Sequence, residues 1–393
     1  MFGDGLKNNK AFSGILTIGT GNVIGGAITS VFWLFLAGIL GTENYGQLSY
    51  FLAIMGITSV AASFGGPFTM QVYVKGHTMQ VYVSKGLKIE SSLYFISIIT
   101  SLVGAITLFF MFDDIGLSLL VIATSIMNLY LVELLGKKLF SKHSKIYILQ
   151  KILFVSLSLV LFYTIGFEGI LIGFALSNFI FIKHLVKILK KEKPNFEIIK
   201  QKKKIIFSNY MSNLVSTTRN HIDELLTVPL FGLSLLGNYF LALQIIGLMY
   251  ILPSLVVKYT LSEDSRGNST LKIKGITILS SVIVSLAGAL ILPQLLPIFL
   301  PEFTETVLLI PVLCFAPIPR AITLMLMSSF LAQEKNFHVP IGHIISIFIM
   351  VIGILISFQF SSEIGIAYSY VFGMTGSAVY LSIISWRKKI LKN

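Results

Sequence analysis

The chain is predicted to be an all-α membrane protein of about twelve transmembrane helices, arranged as two six-helix lobes that are parallel repeats. Three observations predict this. The 393 residues are 55% hydrophobic and only 12% charged, with a mean hydropathy of +0.85. A soluble domain carries about twice that charged fraction, roughly 25%. Apolar runs of about 20 residues, the length that crosses hydrocarbon, recur along the whole chain. The charges between those runs alternate in sign, and the second half of the chain echoes the first.

The apolar segments fall at about 12–39, 46–66, 91–112, 115–135, 146–166, 168–188, 205–230, 236–257, 275–299, 303–332, 340–359 and 364–386. Each is predicted helical, because lipid offers no partner for backbone N–H and C=O groups. The first segment is too long for a signal-peptide core, and no small-residue cleavage site follows it. One set of connections is very short and acidic: Gly41 to Tyr45, Asp113–Asp114, Phe167–Glu168, Gly232 to Leu235, Pro301–Glu302 and Ser361 to Glu363. The other set is longer and basic. Of 30 Lys and Arg residues, all but Arg219 and Arg320 are placed at the termini or in the even-numbered loops and their helix ends. The positive-inside rule then puts both termini in the cytoplasm and the acidic turns outside, which requires an even number of helices. A net charge of +13 would suggest nucleic acid in a soluble protein, but here it belongs to membrane loops.

The halves divide as 1–188 and 205–393, joined by a basic cytoplasmic linker at 189–204. Leu40-Gly41-Thr42-Glu43-Asn44-Tyr45-Gly46 aligns with Phe231 to Gly237 at an offset of 191, so Gly41 matches Gly232 and Gly46 matches Gly237. Gly169-Ile170 matches Gly365-Ile366 at an offset of 196. Six helices per copy start both copies on the same side, which makes the repeats parallel about an axis along the membrane normal. A local duplication, Thr69 to Gly76 repeated as Thr78 to Gly86, lies in the loop after segment two.

Ionisable residues at membrane depth are costly and point to function. Segment seven holds Arg219, His221, Asp223 and Glu224. Ser208, Ser212, Ser216, Arg219, Asp223 and Thr227 share one helical face, with Asn209, Asn213, Thr217, Asn220 and Glu224 on the next ridge. So long a polar stripe should line a water-filled cavity. Arg219 can pair with Asp223 four residues on, or meet an anionic substrate group with Asp223 or Glu224 as counter-ion or coupling-ion site. A guanidinium fork suits phosphate oxygens and stays charged at any relevant pH. Arg320 follows Pro311, Pro317 and Pro319, which should break segment ten, and it either lines the same cavity or holds the broken helix together. Asn213 and Asn220 are the neutral cavity candidates. Gly21, Gly25 and Gly26 make segment one a candidate hinge. Glu133 and Lys137 are spaced for a local pair. His184 and His343 read as ordinary interfacial residues, and Cys314 as a packed thiol.

No Walker loop, HExxH motif or GxSxG elbow is present, so ATP hydrolysis and the common hydrolase chemistries have no residues here. Asp113-Asp114 could serve a metal-dependent glycosyltransferase, but no outward connection exceeds about half a dozen residues, too few to bind a sugar. The chain is expected to be no enzyme and to hold no metal or organic cofactor.

The Leu40-to-Gly46 motif, the Ile222-Asp223-Glu224-Leu225-Leu226 stretch followed by Leu236-Gly237-Asn238-Tyr239, and Leu252-Pro253 together resemble the polysaccharide-transporter branch of the MOP superfamily, the Wzx-type O-antigen flippases. The resemblance implies two lobes rocking around a central cavity in the cytoplasmic (inner) membrane. It implies a polyprenyl-diphosphate-linked oligosaccharide as substrate, with Na+ or H+ as coupling ion. Membrane lipids and other glycan-assembly membrane proteins would be its partners, and nucleic acid would not. The related MATE drug exporters usually carry a carboxylate in helix one, and segment one has none. Lipid II flippases usually have two further helices.

Overall fold

The computed structural model describes residues 2–73, 90–191, 194–251, 253–257, 260, 270–332 and 337–390. Every regular element among them is helical. In chain order they are α1 (Phe2–Ala62), α2 (Gly66–Tyr73), α3 (Glu90–Phe112), α4 (Ile115–Gly136), α5 (Phe140–Ile165), α6 (Glu168–Asn178), a 3-10 turn (Phe179–Phe181) and α7 (Ile182–Lys191). There follow α8 (Phe196–Phe231), α9 (Leu233–Met249), α10 (Leu271–Phe299), α11 (Thr304–Leu313), α12 (Pro317–Ala332), α13 (His338–Gln359) and α14 (Ile364–Ile390).

Eight of these helices are long and apolar enough to cross a membrane, nine with the bent pair α11–α12; counting α1 as two segments and adding the polar α8 and the 17-residue α9 gives the twelve segments expected. α1 is two of them, because its backbone leaves the helical region at Gly41 (φ 69°, ψ 178°). Gly232 turns the chain between α8 and α9 in the same way (φ 90°, ψ 175°). The two expected connections thus shrink to one residue each, in a backbone region that is essentially open only to glycine. α11 and α12 are a helix pair bent by 44°, with Pro311 inside α11 and Pro317 opening α12, so the proline break expected in segment ten is present. The turn at Asp113–Asp114 is structural: Asp113 has a positive φ of 51°, and Asp114 Oδ1 accepts from the Leu117 amide at 2.7 Å, capping α4. The basic stretch at 189–204 is mostly helical, taken up by the end of α7 and the start of α8. The tandem duplication lies largely outside the described residues.

Large apolar side chains stand exposed along these helices: Phe110 is 82% exposed, Leu290 70% and Phe348 64%. Such surface on every long helix is suited to lipid rather than water.

Packing divides the chain into two compact units. The first is Met1–Thr29 with Ile54–Thr217; the second is Ser30–Ala53 with Thr218–Asn393. The first unit is centred on Leu93, Tyr94, Met127, Leu129 and Phe181. Its cytoplasm-assigned end holds Glu133, fully buried, which accepts from Tyr94 Oη at 2.7 Å, meets His184 Nε2 at 2.8 Å and bonds Lys137. The expected Glu133–Lys137 pair is therefore one edge of a larger network, and His184 is a partner in it rather than an ordinary interfacial residue.

In the second unit, Tyr45 is fully buried between Phe240 and Phe303, at centroid distances of 5.0 and 5.9 Å. There Gly46 lies against the backbone of Leu233 and Gly237, and Gly237 against that of Thr42 and Gly46. A Cβ on either glycine would overlap main chain. The pair matched by the 191-residue offset thus meets itself. The later offset is also visible in packing. Gly169 of α6 sits on Leu161 of α5, and Gly365 of α14 sits on Ser357 of α13, each partner 196 residues apart from its counterpart.

Candidate functional site

α8 is the polar helix the stripe predicts, and its burial changes along its length. Ser208 is exposed, Ser212 and Ser216 are half-buried, and Arg219, Asp223 and Thr227 are buried. The helix places its ionisable groups where its final three turns enter the second unit.

Arg219 is only 3% exposed. Its Nη1 donates to Asn220 Oδ1 at 3.1 Å, its Nε reaches Ser346 Oγ of α13 at 3.4 Å, and its Nη2 contacts the Met374 thioether of α14. The pairing with Asp223 that the spacing allows does not form. Asp223 Oδ2 instead accepts from Tyr239 Oη of α9, and its Oδ1 is buried with no hydrogen-bond partner among the described residues. Glu224 is turned the other way, accepting from Ser49 Oγ at 3.3 Å and facing His221 Nδ1 at 3.6 Å. Four-residue spacing puts two side chains on one face, but the hydroxyl of Tyr239 from a second helix has taken a carboxylate oxygen instead.

Arg320, in the first turn of α12, is half-buried, with its guanidinium 5.9 Å from the Tyr250 ring centroid. It lies near enough for its charge to act on Arg219. Tyr250 Oη and Tyr370 Oη are 3.4 Å apart beside the two arginines. His343, expected near the surface, is instead buried in α13, near enough for both cations to act on it. Among the described residues no carboxylate forms an ion pair with either arginine. Two like charges near one another in a low-dielectric setting, contacted by rings, a thioether and neutral dipoles, with Asp223 also near enough to act on Arg219, form a site whose guanidinium donors suit an oxyanion.

Of the remaining expected residues, Asn220 is exposed and bonds Arg219, and Asn213 is half-buried on the same helix. Gly21 and Gly25 sit in unbroken helix. Gly21 packs on Ser144, and Gly25 packs on Tyr147 and Lys151. Gly26 has open space around it. The bend in α1 falls at Gly41. Tyr239, Tyr250, Tyr370, Ser346 and Met374 were not singled out by the sequence. Only Tyr239 carried a signal, as the tyrosine of the Gly237-Asn238-Tyr239 motif.

No protein-family model matches the chain, and no curated protein matches it. Solved structures do. An inward-facing multidrug resistance MATE family transporter of the MOP superfamily aligns over 94% of this chain and 95% of its own, with a TM-score of 0.72 and 16% identity. The lipid II flippase MurJ, in an inward closed conformation, aligns over 94% of this chain and 87% of its own, also at 0.72 and 16%. A MOP superfamily transporter from Pyrococcus furiosus, described by a binding pocket of reverse polarity, aligns over 97% and 96%, at 0.63 and 15%. The chain therefore has the MATE/MOP transporter fold. Identity this low speaks to fold, and function has to be argued from the site.

Proposed function

We propose that the chain is a flippase that carries a polyprenyl-diphosphate-linked oligosaccharide, an O-antigen-like repeat unit, across the cytoplasmic membrane by alternating access. The observation that carries this reading is the Arg219–Arg320 pair, one cation buried and one half-buried, neither in an ion pair among the described residues although Asp223 is close enough for its charge to act on Arg219. A diphosphate supplies negative charge to pair with them, and its oxygens match a guanidinium fork. The similarity to a lipid II flippase agrees with a lipid-linked glycan as cargo. A cation-coupled drug exporter is the alternative within this fold, but a cationic drug would be repelled by this pair.

Asp223 is the proposed coupling site. Its Oδ1 is buried and without a hydrogen-bond partner among the described residues, which suits a transiently bound proton or Na+. Glu224 is the second candidate. Arg219→Gln and Arg320→Gln should each lower surface-glycan export by about tenfold to a hundredfold, as loss of a charge-assisted contact predicts. Membrane levels of both variants should stay normal. Wild-type export by Arg219→Gln would refute the phosphate role.

A further inference from the structure

The first unit carries a third membrane-embedded cation. The sequence pattern counts Lys151 with the basic helix ends, but α5 begins at Phe140. Lys151 therefore lies eleven residues inside the helix, about 16 Å along its axis. A lysine can escape lipid by stretching toward the interface. This one does not. Its Nζ is 5.3 Å from the ring centroid of Tyr147, one turn before it, and 6.0 and 5.7 Å from those of Phe154, one turn after it, and Phe174 of α6. Across from these rings α1 presents Gly25, where a Cβ would lie 2.5 Å from Tyr147 and 3.3 Å from the Lys151 stem. Helix α1 thus leaves room for the lysine and its rings.

No carboxylate among the described residues forms an ion pair with Lys151. Aromatic faces offset only part of the cost of holding an ammonium at this depth. The repeat adds a second observation. The 196-residue offset pairs Tyr147 with His343, Phe154 with Met350 and Phe174 with Tyr370. In the second unit that wall of α13 and α14 flanks Arg219, whose contacts Ser346 and Met374 lie on the same two helices. Each unit therefore sets a cation that makes no ion pair among the described residues against the equivalent pair of helices, although Lys151 itself corresponds to Ile347. The second unit supplies it from α8, and the first supplies it from α5 itself.

We propose that Lys151 is an oxyanion-binding position of its own, carried by the first unit and separate from Arg219 and Arg320. A single ammonium is a point charge that suits one phosphate or one carboxylate, such as that of an acidic sugar. That an oxyanion binds at Lys151 is independent of the flippase reading; that the oxyanion belongs to the cargo rests on it.

The test uses the full chain purified in detergent, titrated with inorganic pyrophosphate and with glucuronate, alongside Lys151→Gln, Lys151→Met and Arg219→Gln. Lys151→Gln should weaken binding of one probe about tenfold or more, and the probe affected tells phosphate from sugar carboxylate. Arg219→Gln should leave that component intact. Lys151→Met removes the charge while keeping an unbranched stem, and it gives the same readout should the glutamine variant fold poorly. Wild-type affinity for both probes in either folded Lys151 variant overturns the assignment, and so does wild-type protein that binds neither. Weakened binding with undiminished glycan export leaves the oxyanion site standing and removes its tie to the cargo.

Discussion

Glu133 shows what burial does to a residue that looks ordinary in sequence. With Lys137 four residues on, it reads as a surface pair worth a few tenths of a kcal/mol. In the fold it is fully buried and is also held by Tyr94 and His184. Replacing it leaves Lys137 and His184 facing an unfilled acceptor site. Glu133→Ala should therefore cost about 3 kcal/mol, read as a lowered thermal midpoint in detergent. Lys137→Ala should cost less, because Lys137 remains partly exposed and also reaches Glu90 at 3.7 Å. The same limit on sequence reading applies at Arg219 and Lys151. Spacing identifies which residues share a helical face, so Arg219 and Asp223 could be placed together. It cannot say that Tyr239 from another helix would take the carboxylate. Lys151 stood close enough to a basic loop to be counted with it, because the start of α5 at Phe140 is not marked in the sequence.

The elements were more legible than their ends. The apolar segments appear as helices because hydrocarbon permits little else, and eight or nine of them are long and apolar enough to cross a membrane. The proline break between α11 and α12 followed from Pro311 and Pro317 for the same local reason. The turns at Gly41 and Gly232 were placed correctly but drawn too long, since nothing in composition shows that one residue in a glycine-only conformation can reverse the chain. Gly41→Ala and Gly232→Ala should each cost about 1–3 kcal/mol from backbone strain, measured by thermal unfolding of the purified chain. Gly46→Leu should be more damaging than either, because its side chain would meet main chain at Leu233 rather than open space. Expression that falls no further for Gly46→Leu than for Gly232→Ala would count against the close approach described above.

At the scale of the whole molecule, the alternation of basic and acidic connections makes a topological prediction. The one cysteine of the chain, Cys314, is buried and so gives a quiet background for labelling. Glu363→Cys and Lys203→Cys stand at exposed positions in an acidic turn and near the start of α8. A membrane-impermeant maleimide should modify the first on intact cells and the second only after permeabilisation. Modification of both on intact cells would overturn the assigned orientation. Fold class was legible at this scale because composition and charge are summed over hundreds of residues. What the candidate site binds was not, because recognition depends on which few side chains converge from distant helices, and no local pattern records that.

The meeting of Gly46 with Gly237 has an evolutionary consequence. A residue that touches its own repeat-mate is what a two-fold axis produces when two identical chains associate through one self-complementary patch. The contact between Gly46 and Gly237 has the self-matching form of such an interface. Such a position is constrained twice, because a side chain gained in either half collides with the backbone of the other. Related sequences should therefore keep glycine at both positions, even where the rest of the two halves has drifted apart.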